Sequence, residues 1–550
     1  MERSRALKIL GVALLALCVL LVLTGTALAA GAPRAVTVDA GKTIGTIRSL
    51  QGTHFDPGPV GGTLSNNYVA LGVTSIRTHD AGGFGINMGV GDIDGTKPSL
   101  VMFPNWNADP TLPASYNFGP TDQMIKDILD IGAEVYFRVG RSNITDGPPY
   151  PFVDNFLPGT LSGSGDQVAS PADYVKYGEI VKHVVMHYNR GWDNGFRYNI
   201  KYWEIWNEPD LLPFWAAISD PTQYQQLYKS VSLAIKSVNP QAKIGGPANT
   251  THNDVAGLED TFLKFVKNNH LPLDFYSFHF YANHSVNPYD NVRYAQRYRA
   301  MLDKYGFKQA ETIDSEYGTA LDGTPVIGGA AGSAVFNGEV QMYMQDAPVS
   351  RLYSYTGINT VLSLANLAYG AVGTLSRTPQ RLWTSGGDNT GFAVLAGRNE
   401  GKRELRVLVA DYEISALNMG PLNLGGIPGN NSEQVYIPGL GVLGTFSWLD
   451  RGTVTYQNTN GYNLAIKNVP LGWGDLTVSQ YRLDSSSNMT LVSSQTIKKR
   501  DRGPKSSVLL SGGWAPGGAT VVNGVVYDPA PGVGQGMDLI VITGSTGCDK

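Results

Sequence analysis

The sequence predicts an α/β barrel followed by an all-β domain, and three features lead there. Between about residues 45 and 375, short apolar runs alternate with segments of helical period. After about residue 375 the helical period is lost, and strand-like runs are separated by Gly, Pro, Asn and Ser turns. The third feature is the aromatic run Tyr202-Trp203-Glu204-Ile205-Trp206, which stops at Asn207-Glu208-Pro209-Asp210. A proline there cannot donate the next ladder bond, so Glu208 is left at the carboxyl end of a buried strand. Eight strands alternating with helices fit a (β/α)8 barrel, with a doubly wound sheet as the structural alternative.

The expected barrel strands are Leu50–Phe55, Thr74–His79, Glu134–Val139, Tyr202–Trp206, Lys243–Gly246, Phe275–His279, Thr312–Ser315 and Arg351–Tyr355. Helices fall between them. Ser170-Pro171-Ala172-Asp173 reads as a capping box with proline at the first helical position. Tyr174, Tyr177, Val181, Val184, Val185 and Tyr188 then recur at helical spacing. Asp220-Pro221-Thr222-Gln223 repeats the device, and Asn239-Pro240 stops that helix. Beyond the barrel, residues 376–550 carry the strand-like runs Gly391–Ala396, Glu404–Ala410, Gln434–Ile437, Tyr462–Val469, Leu476–Leu483 and Met537–Ile542, expected to form a β-sandwich. A strand-like segment over residues 34–44 is expected to join it.

With 550 residues the chain exceeds one ordinary domain, and 42% hydrophobic against 16% charged residues excludes general disorder. A net charge of −4 supplies no basic stripe for phosphates, so nucleic acid is not an expected partner. Arg3, Arg5 and Lys8 precede an apolar run from Ile9 to Leu23, and Ala27-Leu28-Ala29 follows. This pattern predicts a secretory signal over residues 1–29, with an uncleaved membrane anchor through residues 9–23 as the alternative. Cys18 would leave with the signal, so Cys548 alone would provide neither an intrachain disulfide nor a thiolate cluster.

A second acid stands in similar grammar: Thr312-Ile313-Asp314-Ser315-Glu316-Tyr317-Gly318 is a short strand, then Glu, then a turn. By the strand count Glu208 ends the fourth barrel strand and Glu316 the seventh. Both then face the mouth at the C-terminal end of the barrel, where enzymes of this architecture carry their active sites. Two carboxyl groups facing each other across a cleft are what glycosidic bond cleavage requires. Asp314 competes with Glu316 for the second role. Asp92-Ile93-Asp94-Gly95 lacks the later ligands of a calcium loop, so no metal and no cofactor are expected. Trp106, Trp215 and Trp383 are candidates to stack on sugar faces, and Asn143, Asn249, Asn283, Asn430 and Asn488 stand in glycosylation sequons.

Trp206-Asn207-Glu208-Pro209-Asp210-Leu211 resembles glycoside hydrolase family 39 of clan A, a family of β-xylosidases and α-L-iduronidases. Further matching pieces are Phe214-Trp215, Gly245-Gly246-Pro247, Arg77-Thr78-His79-Asp80 and Asp274-Phe275-Tyr276-Ser277-Phe278-His279-Phe280-Tyr281. At Glu316 the chain departs from the family's usual Thr-Glu-Trp or Thr-Glu-Phe. The resemblance implies a secreted retaining glycosidase of β-xylosidase type, acting on an oligo- or polysaccharide. Glu208 would be the general acid/base and Glu316 the nucleophile. Asn207 would hold the sugar 2-hydroxyl; Arg77, His279 and Tyr281 would frame the nucleophile; His79 and Trp215 would contact substrate. An endo-acting polysaccharide hydrolase of the same clan and a non-catalytic carbohydrate-binding surface protein are the alternatives. Oligomeric state is not legible.

Overall fold

In a computed structural model of the chain, eight parallel strands close into a barrel, and nine others form one mostly antiparallel sheet. The structure describes residues 32–545 apart from 80–89, 94–98, 142–170, 172, 211–213, 216–219, 251–256, 282–286, 320–328, 413–431, 438–440, 448–458, 460, 503–506, 516–519, 523–524 and 528–533. The expected signal, Cys548, Asp94 and Gly95, and the sequons at Asn143, Asn283 and Asn430 lie outside these residues. Among the described residues no helix is long and apolar enough to cross a membrane.

The first strand, β1 (Arg34–Thr46), belongs to the sheet. The barrel then runs through β2 (Gly52–His54), β3 (Ser75–Arg77), β4 (Glu134–Val139), β5 (Tyr202–Ile205), β6 (Lys243–Thr250), β7 (Phe275–Tyr281), β8 (Glu311–Gly318) and β9 (Arg351–Ser354). Each pairs with the next, and β9 closes on β2. All eight fall on the runs read from the sequence. The helices are α1 (Thr63–Ala70), α2 (Gly119–Asp130), α3 (Tyr174–Arg190), α4 (Pro221–Val238), α5 (Leu258–Asn268), α6 (Asp290–Tyr305), α7 (Gly329–Tyr343) and α8 (Leu364–Gly373).

The caps explain two of the starts. Asp220 accepts from Thr222 N, with Pro221 at the first helical position of α4. Of the expected capping box, Ser170 and Ala172 lie outside the described residues, and Asp173 caps α3, its carboxylate accepting from Val175 N and Lys176 N. Both of these N–H groups donate to Oδ1 of an aspartate in extended conformation, so the helix begins three residues later than expected. Tyr177, Val181, Val184, Val185 and Tyr188 then face the barrel wall and are buried.

Inside the barrel, Tyr136, Tyr202, Phe275, Ile313 and Tyr353 fill one layer. Moving two residues up each strand keeps a side chain on the inner face, and there the chain turns polar, with Arg138, Glu204 and Ser277, all buried. This aromatic floor carries the polar layer from which the mouth is built. Gly245 is needed where β6 crosses β7, since a Cβ would stand 2.1 Å from the Phe275 carbonyl oxygen.

The sheet continues with β10 (Gln380–Ser385), β11 (Phe392–Asn399), β12 (Glu404–Asp411), β15 (Tyr462–Lys467), β16 (Leu476–Asp484), β17 (Ser487–Ile497), β18 (Val508–Gly512) and β21 (Gly536–Gly544). Two separate two-stranded pairs, β13 (Ser432–Ile437) with β14 (Gly441–Ser447) and β19 (Thr520–Val522) with β20 (Val525–Tyr527), complete the described strands. Strand β1 sits inside the sheet, antiparallel to β10 and parallel to β15. The Tyr462 hydroxyl on β15 donates to Asp538 Oδ2 on β21 at 2.7 Å, although four strands lie between them in the hydrogen-bonded order. The expected sandwich is therefore a single sheet curled until its halves face each other across a second core of Val36, Val38, Leu464, Val407 and Ile540. Helix α7 links it to the barrel: Tyr412 N donates to Glu339 Oε1 at 2.9 Å, and Phe336 packs edge-on to Tyr412.

Candidate active site

Beyond Ile205 the backbone leaves the strand through two left-handed residues, Trp206 at φ 74° and Glu208 at φ 43°. Such conformations cost non-glycine residues on the order of 1–3 kcal/mol each and persist only where the surroundings impose them. Here Trp206 N donates to Val139 O, Glu208 N to Ala248 O and Trp206 Nε1 to Phe214 O, while the Tyr224 hydroxyl donates to Ile205 O. Asp210 closes the turn by accepting from both Thr250 N and Thr250 Oγ1 at the end of β6. Burial pushes the Asp210 carboxyl up to about 8 against those hydrogen bonds.

Glu316 reaches the mouth by another device. Phe278 pairs with Asp314, but His279 pairs with Glu316, so β8 carries a bulge at Ser315. Phe278 stacks on Tyr298 of α6 and faces the helices, and Asp314 shares that side. His279 and Glu316 share the inner face. Without the extra residue, strict alternation would put Asp314 and Glu316 on the same side. Asp314 is thereby removed as a competitor: it is buried away from the mouth, and burial, reinforced by the charge of Glu316, holds its carboxyl well above the usual range.

Arg77, with no exposed surface, ties the site together. Its Nε donates to Glu204 Oε2 at 2.6 Å, Nη1 to Glu316 Oε1 at 2.6 Å and Nη2 to Asn207 Oδ1 at 2.8 Å. Burial opposes the guanidinium charge, but Glu204 and Glu316 outweigh it and hold the pKa above its ordinary value. Tyr136 of the aromatic floor donates to the other Glu204 oxygen. The Tyr281 hydroxyl donates to Glu316 Oε2 at 2.5 Å, so a donor addresses each Glu316 oxygen, an arrangement that favours the carboxylate form. His279 Nδ1 lies 2.7 Å from Glu208 Oε1 and 3.6 Å from Glu316 Oε2. Burial and then the Arg77 charge lower the pKa of this imidazole well below its ordinary value and favour its neutral form. His79 Nε2 stands 3.7 Å from Glu316 Oε1, also kept neutral by burial and by Arg138 and Arg77. Asn207 Nδ2 is buried with no hydrogen-bond partner in the protein, a donor left over for a ligand.

Seven of the eight residues expected at the site thus converge: Glu208, Glu316, Asn207, Arg77, His79, His279 and Tyr281. Trp215 does not. It is fully buried and packs edge-on to Trp206, presenting no face to a sugar. Its neighbour Phe214 is the partly exposed ring, 5.9 Å from His79. The sequence reading missed Glu204, although an acid on the inner face of an aromatic strand was a visible signal. It also missed His54 and the half-buried Tyr355, whose rings lie 4.9 Å apart at the mouth. Asn249 donates to Glu259 and Tyr298 at zero exposure, so its sequon is closed to a glycan.

One ligand atom each from Glu208, His279 and Glu316 lies within 4.8 Å of the others. A cation there would stand beside the Arg77 guanidinium, whose charge opposes it. The spacing instead brings two carboxyl groups to a common point, one against a neutral imidazole and one held by a guanidinium and a phenol. Such environments push two acids toward opposite protonation states.

Comparison with known proteins places this arrangement. The model of glycosyl hydrolases family 39 matches residues 107–315, which include β4 through β7, Glu208 and most of β8 up to Ser315. A β-xylosidase of Geobacillus stearothermophilus is 27% identical over 233 residues, 37% of this chain and 41% of the relative. The chain spans less than half the length of the curated relatives it matches. Among solved structures, a glucosidase from Croceicoccus marinus superposes with a TM-score of 0.72 at 26% identity, covering 94% of this chain and all of the other. A family 39 enzyme of Xanthomonas axonopodis pv. citri shares the fold at a TM-score of 0.62 and 15% identity, over 95% and 99% of the two chains. The barrel and the acid beyond the end of its fourth strand agree with these matches: over residues 107–315 the chain is similar to glycoside hydrolase family 39.

Proposed function

We propose that the chain is a retaining glycosidase of β-xylosidase type, cleaving O-glycosidic bonds by double displacement. The observation that carries this reading is the approach of Glu208 and Glu316 oxygens to within 4.8 Å. Retaining enzymes hold their carboxyl groups about 5–5.5 Å apart, whereas inverting ones leave about 6.5–9.5 Å for a water. In the first step Glu316 attacks the anomeric carbon while Glu208 gives its proton to the departing oxygen. In the second, Glu208 takes a proton from water, which displaces Glu316. Asn207 Nδ2 donates to the sugar 2-hydroxyl, and Arg77 and Tyr281 keep Glu316 ionised for attack. The β-xylosidase of Geobacillus stearothermophilus supports a xyloside substrate; the Croceicoccus marinus glucosidase, similar over nearly the whole chain, supports a glucoside as the second reading. Carbohydrate met outside the cell agrees with the leader-like residues 3–29, and N-terminal sequencing would find Ala30 first if the protein is exported.

A panel of aryl xylosides, glucosides, galactosides, arabinosides and iduronides tests the activity. Glu316→Ala should abolish turnover on every substrate. Glu208→Ala should spare substrates with good leaving groups in the first step, and azide should then restore turnover by releasing a glycosyl azide. Proton NMR should show the first product with the substrate's own anomeric configuration. An inverted product, or full activity in Glu316→Ala, would sink the assignment.

A further inference from the structure

The inner-face position of Glu316 depends on the bulge at Ser315, and the bulge needs its own support. Ser315 is unmatched in both registers of β8. Toward β7 the pairing passes from Asp314 to Glu316, and toward β9 it passes from Asp314 with Leu352 to Tyr317 with Ser354. A carbonyl left out of the ladder inside a barrel costs about 1–3 kcal/mol if nothing donates to it. His54, at the end of β2, supplies the donor. Its Nε2 lies 3.0 Å from the Ser315 carbonyl oxygen, reaching across β9, the strand between them. A carbonyl only accepts, so Nε2 carries the proton. The ring is fully buried, and burial together with the Arg77 charge keeps it neutral, so this hydrogen bond does not come and go with pH. The imidazole is fixed in turn: Tyr355 packs edge-on at 4.9 Å, Phe55 and Tyr353 stand near 6 Å, and the Tyr68 hydroxyl donates to the His54 carbonyl.

We propose that His54 is a positioning residue for the nucleophile: by holding the Ser315 carbonyl it fixes the phase of β8 that turns Glu316, and not its neighbours, toward Arg77 and Tyr281. The proposal rests on the glycosidase reading for its kinetic consequences, but not for its structural one. If the hydrogen bond is lost, β8 can relax toward regular pairing, and Glu316 moves relative to Arg77. Displacement of a reacting group by about 1 Å costs about 100-fold in rate.

Two variants of the full chain test it. His54→Gln retains an N–H near the position of Nε2; His54→Met keeps a similar length without a donor. With whichever aryl glycoside the wild type hydrolyses, His54→Met should lose about 100-fold in kcat/KM. It should lose the same factor in the rate at which an activated 2-deoxy-2-fluoro glycoside labels Glu316. The loss should be equal for good and poor leaving groups, because Glu208 is untouched. The acid limb of its pH profile should move to higher pH as Glu316 loses its guanidinium. His54→Gln should stay within about tenfold of the wild type, with the wild-type acid limb. Crystal structures of the two variants read the same point without turnover. The Arg77–Glu316 contact of 2.6 Å should persist in His54→Gln and open in His54→Met. Equal rates in the two variants, or an intact bulge and contact in His54→Met, would overturn the proposal. A wild type inactive on every aryl glycoside would count against the glycosidase reading and leave the crystallographic comparison to decide the role of His54.

Discussion

Replacing Arg77 by methionine should destabilise the protein in a pH-dependent way whose size and sign follow from the site. In the wild type one buried guanidinium serves two buried carboxylates, Glu204 and Glu316, each at 2.6 Å. Removing one partner of a buried pair costs about 3–5 kcal/mol, because the remaining charge is left in a poorly solvating medium. Two carboxylates are stranded here, so the loss at neutral pH should be at least that of one pair. At roughly 2 °C per kcal/mol for a large domain, the melting temperature should fall by about 6–10 °C or more. The stranded acids can escape by taking up protons, which raises their folded-state pKa values above the unfolded value of about 4.3. A group whose folded pKa is raised destabilises progressively as pH rises through and above the unfolded value, and not below it. The deficit relative to wild type should therefore be large at pH 8 and shrink toward pH 4. Differential scanning calorimetry across that range measures it. Arg77→Lys should recover only part, since a point ammonium cannot reach Glu204, Glu316 and Asn207 in the fork geometry of a guanidinium. A deficit below about 2 °C at pH 7, or one that does not change with pH, would refute the reasoning.

Asp314→Asn should leave kcat/KM near the wild-type value, because the side chain faces the helices. It should also flatten the stability profile: the wild-type carboxyl is held above its unfolded value of 3.8, so its penalty grows as pH rises past that point and an amide escapes it. A thermal denaturation series with no difference in slope between the two proteins would contradict the burial argument. Trp215→Ala should cost about 3–5 kcal/mol of stability through a core cavity while leaving KM unchanged at a temperature where the variant is folded. Phe214→Ala should raise KM with little effect on melting. The reverse pattern, measured by steady-state kinetics and melting, would restore Trp215 as a sugar contact.

The barrel was legible because its strands are buried on both faces and so read as aromatic and β-branched runs ended by Gly, Pro or Asn. Glu134–Val139 was legible to the residue, since an apolar strand bounded by Gly132 and Gly140 has no other register to adopt. Strands β10, β17 and β18 were not legible. Ser487–Ile497 is exposed over nearly its whole length, and a strand with no buried face carries no alternation to read. The start of α3 was displaced because Asp173, the last residue of the expected box, is itself the cap.

By itself the sequence determined the fold class and the placing of Glu208 and Glu316 near the carboxyl ends of β5 and β8, because strand parity and proline punctuation are local properties of the backbone. Tertiary structure alone decided which acid on β8 faces the mouth. Asp314 and Glu316 have the same parity in sequence, and only the bulge at Ser315, detectable from pairing with β7 and β9, separates them. Tertiary structure likewise made Glu204 a partner of Arg77, residues 127 positions apart that meet because β3 and β5 point inward across one barrel. It also made Trp215 core and Phe214 mouth: adjacent residues on a turn differ only in which neighbours fold over them. The physical reason is common to all three. Sequence periodicity gives the direction of a side chain relative to its own strand, whereas a site is set by where strands distant in the chain bring those directions to meet.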